Sequence, residues 1–236
     1  MTSLLLRGAA RILRGGPDWD ETSGDLLIRD GRIEAVGGDL TAQAGDARTV
    51  SARGLTLLPG LVQSHLHLCQ TLFRGLAEDL PLLPWLRGRI WPLEAAHDPD
   101  SLRASAELSV LELLLGGTTT VLDMGTTHHH GTVFEVLEET GIRAASGKAM
   151  MDEGEGVPEG LLETTLDSLR HSFDLAEKWD GAAGGRLRYA FAPRFVLSCS
   201  DVLLREVVAL AKQKFLLHTH ASENPDETRV VAEIKG

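Results

Sequence analysis

Two histidines one residue apart, His65-Leu66-His67, follow a short apolar run that ends at Val62. In an extended chain, residues i and i+2 point to the same side. Two imidazoles so placed can bind one metal ion, and the end of a buried strand is where α/β barrels carry their sites. The bland alternative is a pair of surface or internally satisfied histidines. A second group, His218-Thr219-His220-Ala221-Ser222-Glu223-Asn224, closes another apolar run. It offers a further imidazole and, three residues later, a carboxylate. Metal-assisted hydrolysis needs both. The ion lowers the pKa of bound water from about 15.7 to about 7, and a nearby carboxylate takes the water proton and returns it to the leaving group. Glu223 has a second reading, as an acid at the N-terminus of the helix that begins near Asp226. The spacing leaves both open.

Other candidates are weaker. His128-His129-His130 cannot all face one ion and read as an exposed or substrate-lining loop, while His97 and His171 read as structural or solvated. Arg194, in Ala192-Pro193-Arg194-Phe195 at a strand end, would point into a barrel mouth. There it would make either a rim salt bridge or hydrogen bonds to a polar heterocycle. Cys69 and Cys199 lack a Cys-x-x-Cys context, so the zinc signature of cytidine deaminases is absent. There is no Walker loop, nucleophile elbow or dinucleotide fingerprint.

The elements that must position these residues alternate. Residues 1–56 read as short strands and tight turns. Ser3–Leu13 ends at Gly15-Gly16-Pro17, Asp25–Val36 is broken by the hairpin signal Asp30-Gly31, and Ala47–Leu58 is extended. From residue 57 to 236, apolar runs alternate with helical patterns. The strands expected are Leu57–Val62, Thr118–Met124, Ile142–Met151, Leu187–Phe195 and Phe215–His220. The helices expected are Asp98–Leu115 (capped by Asp98 or Asp100), Thr132–Glu139, Leu161–Trp179, Asp201–Lys214 (capped by Ser200 or Asp201) and Asp226–Ile234. In Leu161–Trp179 the apolar stripe is Leu162, Leu166, Leu169, Phe173 and Ala176. Such alternation predicts an α/β fold with a parallel sheet and right-handed crossovers. Five βα units are countable, a partial (β/α)8 TIM barrel preceded by a small β-sheet module.

Composition narrows the function classes. The 236 residues hold 23 Lys plus Arg against 34 Asp plus Glu, a net charge of −11. Such a chain is a poor non-specific partner for nucleic acid or anionic membrane. No run of eighteen apolar residues and no signal peptide is evident, and two cysteines make a disulfide framework improbable. The expectation is a cytoplasmic protein.

The segment Leu58-Pro-Gly-Leu-Val-Gln-Ser-His-Leu-His67 resembles the first-strand signature of the amidohydrolase superfamily. Cys69-Gln-Thr-Leu-Phe-Arg-Gly-Leu-Ala-Glu-Asp-Leu80, Trp91-Pro-Leu-Glu94, Gly117-Thr-Thr-Thr120, Pro193-Arg-Phe195 and His218-Thr-His-Ala-Ser-Glu-Asn224 narrow the resemblance. Together they are similar to the branch holding methylthioadenosine/S-adenosylhomocysteine deaminases, 5′-deoxyadenosine deaminase, guanine deaminase and s-triazine chlorohydrolases. The resemblance implies a metal-dependent (β/α)8 barrel with a small β-sandwich made from both chain ends. It implies one divalent ion, zinc or alternatively iron, with His65, His67 and His220 as ligands. No ligand role carries over to His218. Glu223 matches the proton-shuttling acid/base, Glu94 a ribose contact, and Gln70 and Arg194 positions that read a purine. Lys148 replaces an arginine used for the substrate tail.

Arg194 stands where methylthioadenosine deaminases usually carry histidine, and Pro193-Arg-Phe195 with Gln70 leans toward guanine deaminase. Gln70-Thr-Leu-Phe-Arg-Gly75 and Trp91-Pro-Leu-Glu94 lean toward the adenosine-type and triazine members. Members of the branch continue well past residue 236 with a later-strand histidine, a metal-binding aspartate and three more barrel strands. The resemblance therefore predicts that the chain is truncated or a fragment, and not an active monomer. It would self-associate through open strand edges or take a complementing C-terminal segment. The implied activity is deamination of an aminated purine or adenosine-type nucleoside. The alternatives are guanine deamination, triazine dechlorination and a truncated non-catalytic pseudoenzyme.

Overall fold

The computed structural model describes residues 3–16, 20–77, 79–212 and 215–235. Pro17 of the expected turn and Gln213–Lys214 of the expected helix end lie outside them. The chain divides into two compact units between Gly60 and Leu61.

The first unit is a mixed five-stranded sheet. Its strands are β1 (Ser3–Leu13), β2 (Glu21–Arg29), β3 (Arg32–Val36), β4 (Arg48–Ser51) and β5 (Thr56–Leu57), in the order β3-β2-β1-β4 with β5 also beside β1. The β2–β3 hairpin turns on Asp30 and Gly31, whose φ angles are 48° and 74°. Positive φ at both positions is what the tight hairpin turn demands, and Asp-Gly supplies it. Leu26 and Leu27, adjacent in β2, are both buried, so both sheet faces are covered. Asp25 is buried and accepts hydrogen bonds from the Gly8 and Leu40 backbone amides at 2.8 and 3.0 Å.

The second unit alternates strand and helix. The strands are β6 (Leu61–Leu66), β7 (Thr118–Met124), β8 (Arg143–Gly147), β9 (Ala149–Met150), β10 (Leu187–Pro193) and β11 (Leu216–Leu217). The helices are α1 (Pro99–Leu115), α2 (His130–Thr140), α3 (Thr165–Trp179), α4 (Asp201–Ala211) and α5 (Pro225–Lys235). All strand pairs are parallel, in the order β11-β10-β8-β7-β6. In a flat sheet, edge strands β6 and β11 would lie about 19 Å apart. Yet a His65 ring nitrogen just inside β6 lies 2.9 Å from one of His218, just beyond β11. The sheet is therefore curled, the geometry of a partial barrel.

Local chemistry explains the elements. Asp98 accepts from the Ser101 amide in a reciprocal capping box, Pro99 opens α1, and Gly116-Gly117 follow its end. Ser200 caps α4 and Thr164 caps α3. Gly147 lets β8 approach β10, because a Cβ there would lie 1.7 Å from the Ala190 carbonyl oxygen.

Three expectations need correction. The first barrel strand is Leu61–Leu66 and not Leu57–Val62, because Leu57 pairs with β1 and Pro59-Gly60 interrupts the run. The third strand is two pieces broken at Lys148. The buried stripe of α3 is Ser168, Ser172, Ala176 and Trp179, while Leu162, Leu166 and Phe173 are exposed. The packing explains it: Phe134 of α2 stacks on Tyr189 of β10 and, at 5.3 Å, on Trp179, so Trp179 is the one bulky residue of the α3 stripe and small residues fill the rest of it.

Candidate metal centre

β6 carries the chain to His65 still in extended form, and His67 emerges one residue past its end. The next turn is tied down at two points. The His67 Nδ1 hydrogen-bonds the Met124 carbonyl at 2.7 Å, and the Leu68 amide donates to Asp123 Oδ1 at 2.9 Å. Both acceptors end β7. On the far side of the curl, His220 Nδ1 hydrogen-bonds the Arg194 carbonyl at 2.9 Å. A carbonyl only accepts, so each of these Nδ1 atoms carries the proton, and in a neutral ring each Nε2 is then a bare lone pair. The two Nε2 atoms face one another at 3.3 Å. Two lone pairs so placed repel unless a cation lies between. Two ligands of a tetrahedral zinc site at about 2.05 Å would lie about 3.3 Å apart. His65, His67 and His220 each bring a ring nitrogen within 4.8 Å of the others. This donor set suits a divalent ion of the zinc or iron type, for which imidazole is a common ligand.

Burial pulls the His67 imidazole well below its ordinary range and His220 to about 4, with Arg194 adding like-charge repulsion at both. Both rings are held neutral, the state a metal requires. His65, His67 and His220 line one cavity of about 200 Å³ with Trp85, Arg194 and Glu223. Burial pushes the Glu223 carboxyl up against the opposing pull of Arg194 and His65. Gln70 lines a neighbouring cavity of about 340 Å³ that shares His67 and Trp85.

Glu94, expected at the outer rim, is instead 2% exposed and lies behind Arg194 and Gln70. Its carboxylate accepts from Arg194 at 2.5 and 3.2 Å and from Gln70 Nε2 at 2.7 Å. With Nε2 committed, Gln70 has its amide oxygen free to accept. Lys148 is not among the residues lining the histidine cavity. It is buried in an ion pair with Glu163 at 2.5 Å, where burial lowers its pKa against the attraction of Glu163. His97 is structural, bonded to the Cys69 carbonyl and Ser101. His171 lies 3.4 Å from Glu163 at the surface.

Sequence reasoning missed one cluster. Asp123, Ser146 and His130 are all buried: Ser146 donates to Asp123 Oδ2 at 2.6 Å, and His130 Nε2 lies 2.9 Å from Ser146 Oγ. Burial raises Asp123 to about 6; burial and then Lys148 lower His130 to about 3. The available signal was an aspartate inside the otherwise apolar and β-branched Thr118–Met124. His130 was expected in a loop but begins α2.

Histidines converging at the carboxyl ends of parallel strands in a curled sheet form a candidate metal centre of the barrel type. The chain belongs to the amidohydrolase family, whose model matches residues 56–236. It is 38% identical over 236 residues to the 5′-deoxyadenosine deaminase of Methanothermobacter thermautotrophicus, covering 99% of this chain and 52% of that protein. Guanine deaminase of E. coli superposes with a TM-score of 0.85 at 30% identity, over 98% of this chain and 56% of that one. An atrazine chlorohydrolase from Arthrobacter aurescens TC1 complexed with zinc superposes with a TM-score of 0.86 at 27% identity, over 98% and 56%. The chain spans about half the length of the curated relatives it matches. Among the described residues, no helix is long and apolar enough to cross a membrane.

Proposed function

We propose that this chain carries the first half of the active site of a metal-dependent aminohydrolase acting on an aminated purine or adenosine-type nucleoside, such as 5′-deoxyadenosine, methylthioadenosine or S-adenosylhomocysteine. The observation that carries the reading is the facing pair of His67 and His220 lone pairs, each fixed by a carbonyl on the opposite ring nitrogen. His65, His67 and His220 would hold the ion, zinc being the first candidate; when bound, it supplies Lewis acidity and a more acidic water.

The chain's own residues do the rest. Glu223 takes a proton from water as the C–O bond forms and delivers it to the amino group as the C–N bond breaks and ammonia leaves. Its raised carboxyl pKa supports that traffic. Arg194, fixed by Glu94, offers N–H donors, and Gln70, fixed by the same carboxylate, offers an acceptor. Together they bracket a heterocycle edge. Trp85 and Phe195 supply apolar walls. Lys148 lies near the carboxyl end of β8 and would reach a substrate tail only by exchanging its Glu163 partner.

One observation favours a second reading, guanine deamination. Glu94 is consumed by Arg194 and Gln70 and is buried away from a ribose. A bare base needs no ribose contact. The exposed Leu61, Val62, Leu216 and Leu217 on the edge strands suit pairing with a complementing segment or a second copy. The reading places the protein in the cytoplasm. The test is ammonia release by the zinc-loaded protein from 5′-deoxyadenosine, methylthioadenosine, S-adenosylhomocysteine and guanine, with chloride release from atrazine in parallel. Turnover confined to the adenosine compounds supports the first reading. Guanine alone supports the second, chloride release a triazine hydrolase, and turnover of none of them a non-catalytic chain.

A further inference from the structure

Each metal-facing imidazole needs something on its other nitrogen to fix which one holds the proton. For His67 and His220 that partner is a backbone carbonyl. For His65 it is another side chain: His65 Nδ1 lies 2.9 Å from His218 Nε2. Two neutral imidazoles meeting nitrogen to nitrogen share one proton, and its side decides the chemistry. If His218 Nε2 donates, His65 Nδ1 accepts, His65 Nε2 carries the proton and that nitrogen cannot bind an ion. If His65 Nδ1 donates, its Nε2 is a lone pair available to the ion, and His218 must carry its own proton on Nδ1. That Nδ1 is buried without a hydrogen-bond partner among the described residues. The hydrogen bonding of the His218 ring therefore runs through His65. His218 is also fixed in place, because its backbone amide donates to the Phe191 carbonyl of β10 at 2.9 Å.

We propose that His218 is a positioning residue for the metal ligand His65. It accepts the His65 Nδ1–H, selects the tautomer whose Nε2 faces the ion, and joins the two edge strands of the curled sheet across the mouth. It does not itself ligate. This inference rests on the metal reading above.

The test uses the purified protein and zinc alone. Zinc affinity is measured by chelator competition for the wild type, His218→Phe and His218→Gln, with circular dichroism to establish that each variant is folded. The glutamine side-chain oxygen can accept at about the reach of the lost Nε2; phenylalanine cannot accept. Loss of the partner should weaken zinc binding about 10–100-fold in His218→Phe, the usual effect of removing an outer partner of a ligand. His218→Gln should stay within a few-fold of wild type. X-ray absorption should count three imidazoles in wild type and in both folded variants. Equal affinity in wild type and His218→Phe would overturn the proposal. So would equal loss in both variants, or a fourth imidazole that disappears with His218. A wild type that binds no zinc would instead overturn the metal reading itself, before any variant is compared.

Discussion

The carboxyl ends of the parallel strands carry two kinds of polar cluster. At the mouth, His65, His67 and His220 turn ring nitrogens toward one another, and the nearest pair presents lone pair to lone pair. Past the end of β8, Lys148 and Glu163 are more deeply enclosed than the histidines, opposite in charge, and satisfy each other at 2.5 Å. Both clusters are held by their surroundings. Only the second is complete as it stands. Buried polar groups are ordinarily paired, so a rigid cluster of like groups marks where something else belongs. A paired cluster marks structure, however close it lies to the site.

The largest effect that would break this contrast is expected at the complete cluster. Glu163→Gln leaves the Lys148 ammonium in a site where both side chains are only 3% exposed. Removing one partner of a buried ion pair typically costs about 3–5 kcal/mol. Chemical denaturation should show a loss of that order with zinc affinity unchanged. A loss below about 1 kcal/mol would mean that Lys148 is not structurally committed and is available to substrate. The next effect sharpens the other side. Glu223 keeps much of its surface in solvent while lining the histidine cavity, so Glu223→Gln should leave stability and zinc content intact. It should lower kcat by at least about 10²-fold in the active protein, the usual contribution of general acid–base catalysis. An unchanged kcat would return Glu223 to its role as an acid preceding α5.

The smallest effect concerns the buried, titratable Asp123–Ser146–His130 cluster, in which His130 Nδ1 has no hydrogen-bond partner among the described residues. Folded His130 has its pKa lowered to about 3, against about 6.5 unfolded. Between those values the unfolded chain binds the extra proton. The stability contributed by neutral His130 is thus present above about pH 6.5 and lost as pH falls toward 3. Asp123, raised to about 6, works oppositely: its contribution is present below about pH 4 and lost as pH rises through 6. Thermal melts of wild type and His130→Gln between about pH 6.5 and 5.5 should show the wild-type advantage shrinking by at most about 1.4 kcal/mol across that one pH unit. A pH-independent difference would show that His130 is not held neutral by burial.

Much of this was readable in the residues, for local reasons. Asp30-Gly31 turns where its φ preferences allow, Asp98-Pro99 opens α1, and His65-Leu66-His67 lies at a strand end. Each signal spans a few residues. What escaped depends on partners far along the chain. Glu94 is fixed by Arg194, one hundred residues away, and Asp123 by Leu68 and Ser146. The buried face of α3 was misread because leucine and phenylalanine outweigh serine in any periodicity count. Yet the facing Phe134 and Tyr189 had already filled the space. His218 has no local signal either, since its role exists only because the sheet curls.

The three histidines are proposed to form a metal site. X-ray absorption at the zinc edge, combined with zinc titration of wild type and His67→Ala, tests it most directly. The expected result is one tightly held ion per chain, three imidazole nitrogens at about 2.0–2.1 Å, and loss of the tight site in His67→Ala without loss of fold. A wild-type protein that binds no zinc, or a His67→Ala variant that binds it with equal affinity, would contradict the account.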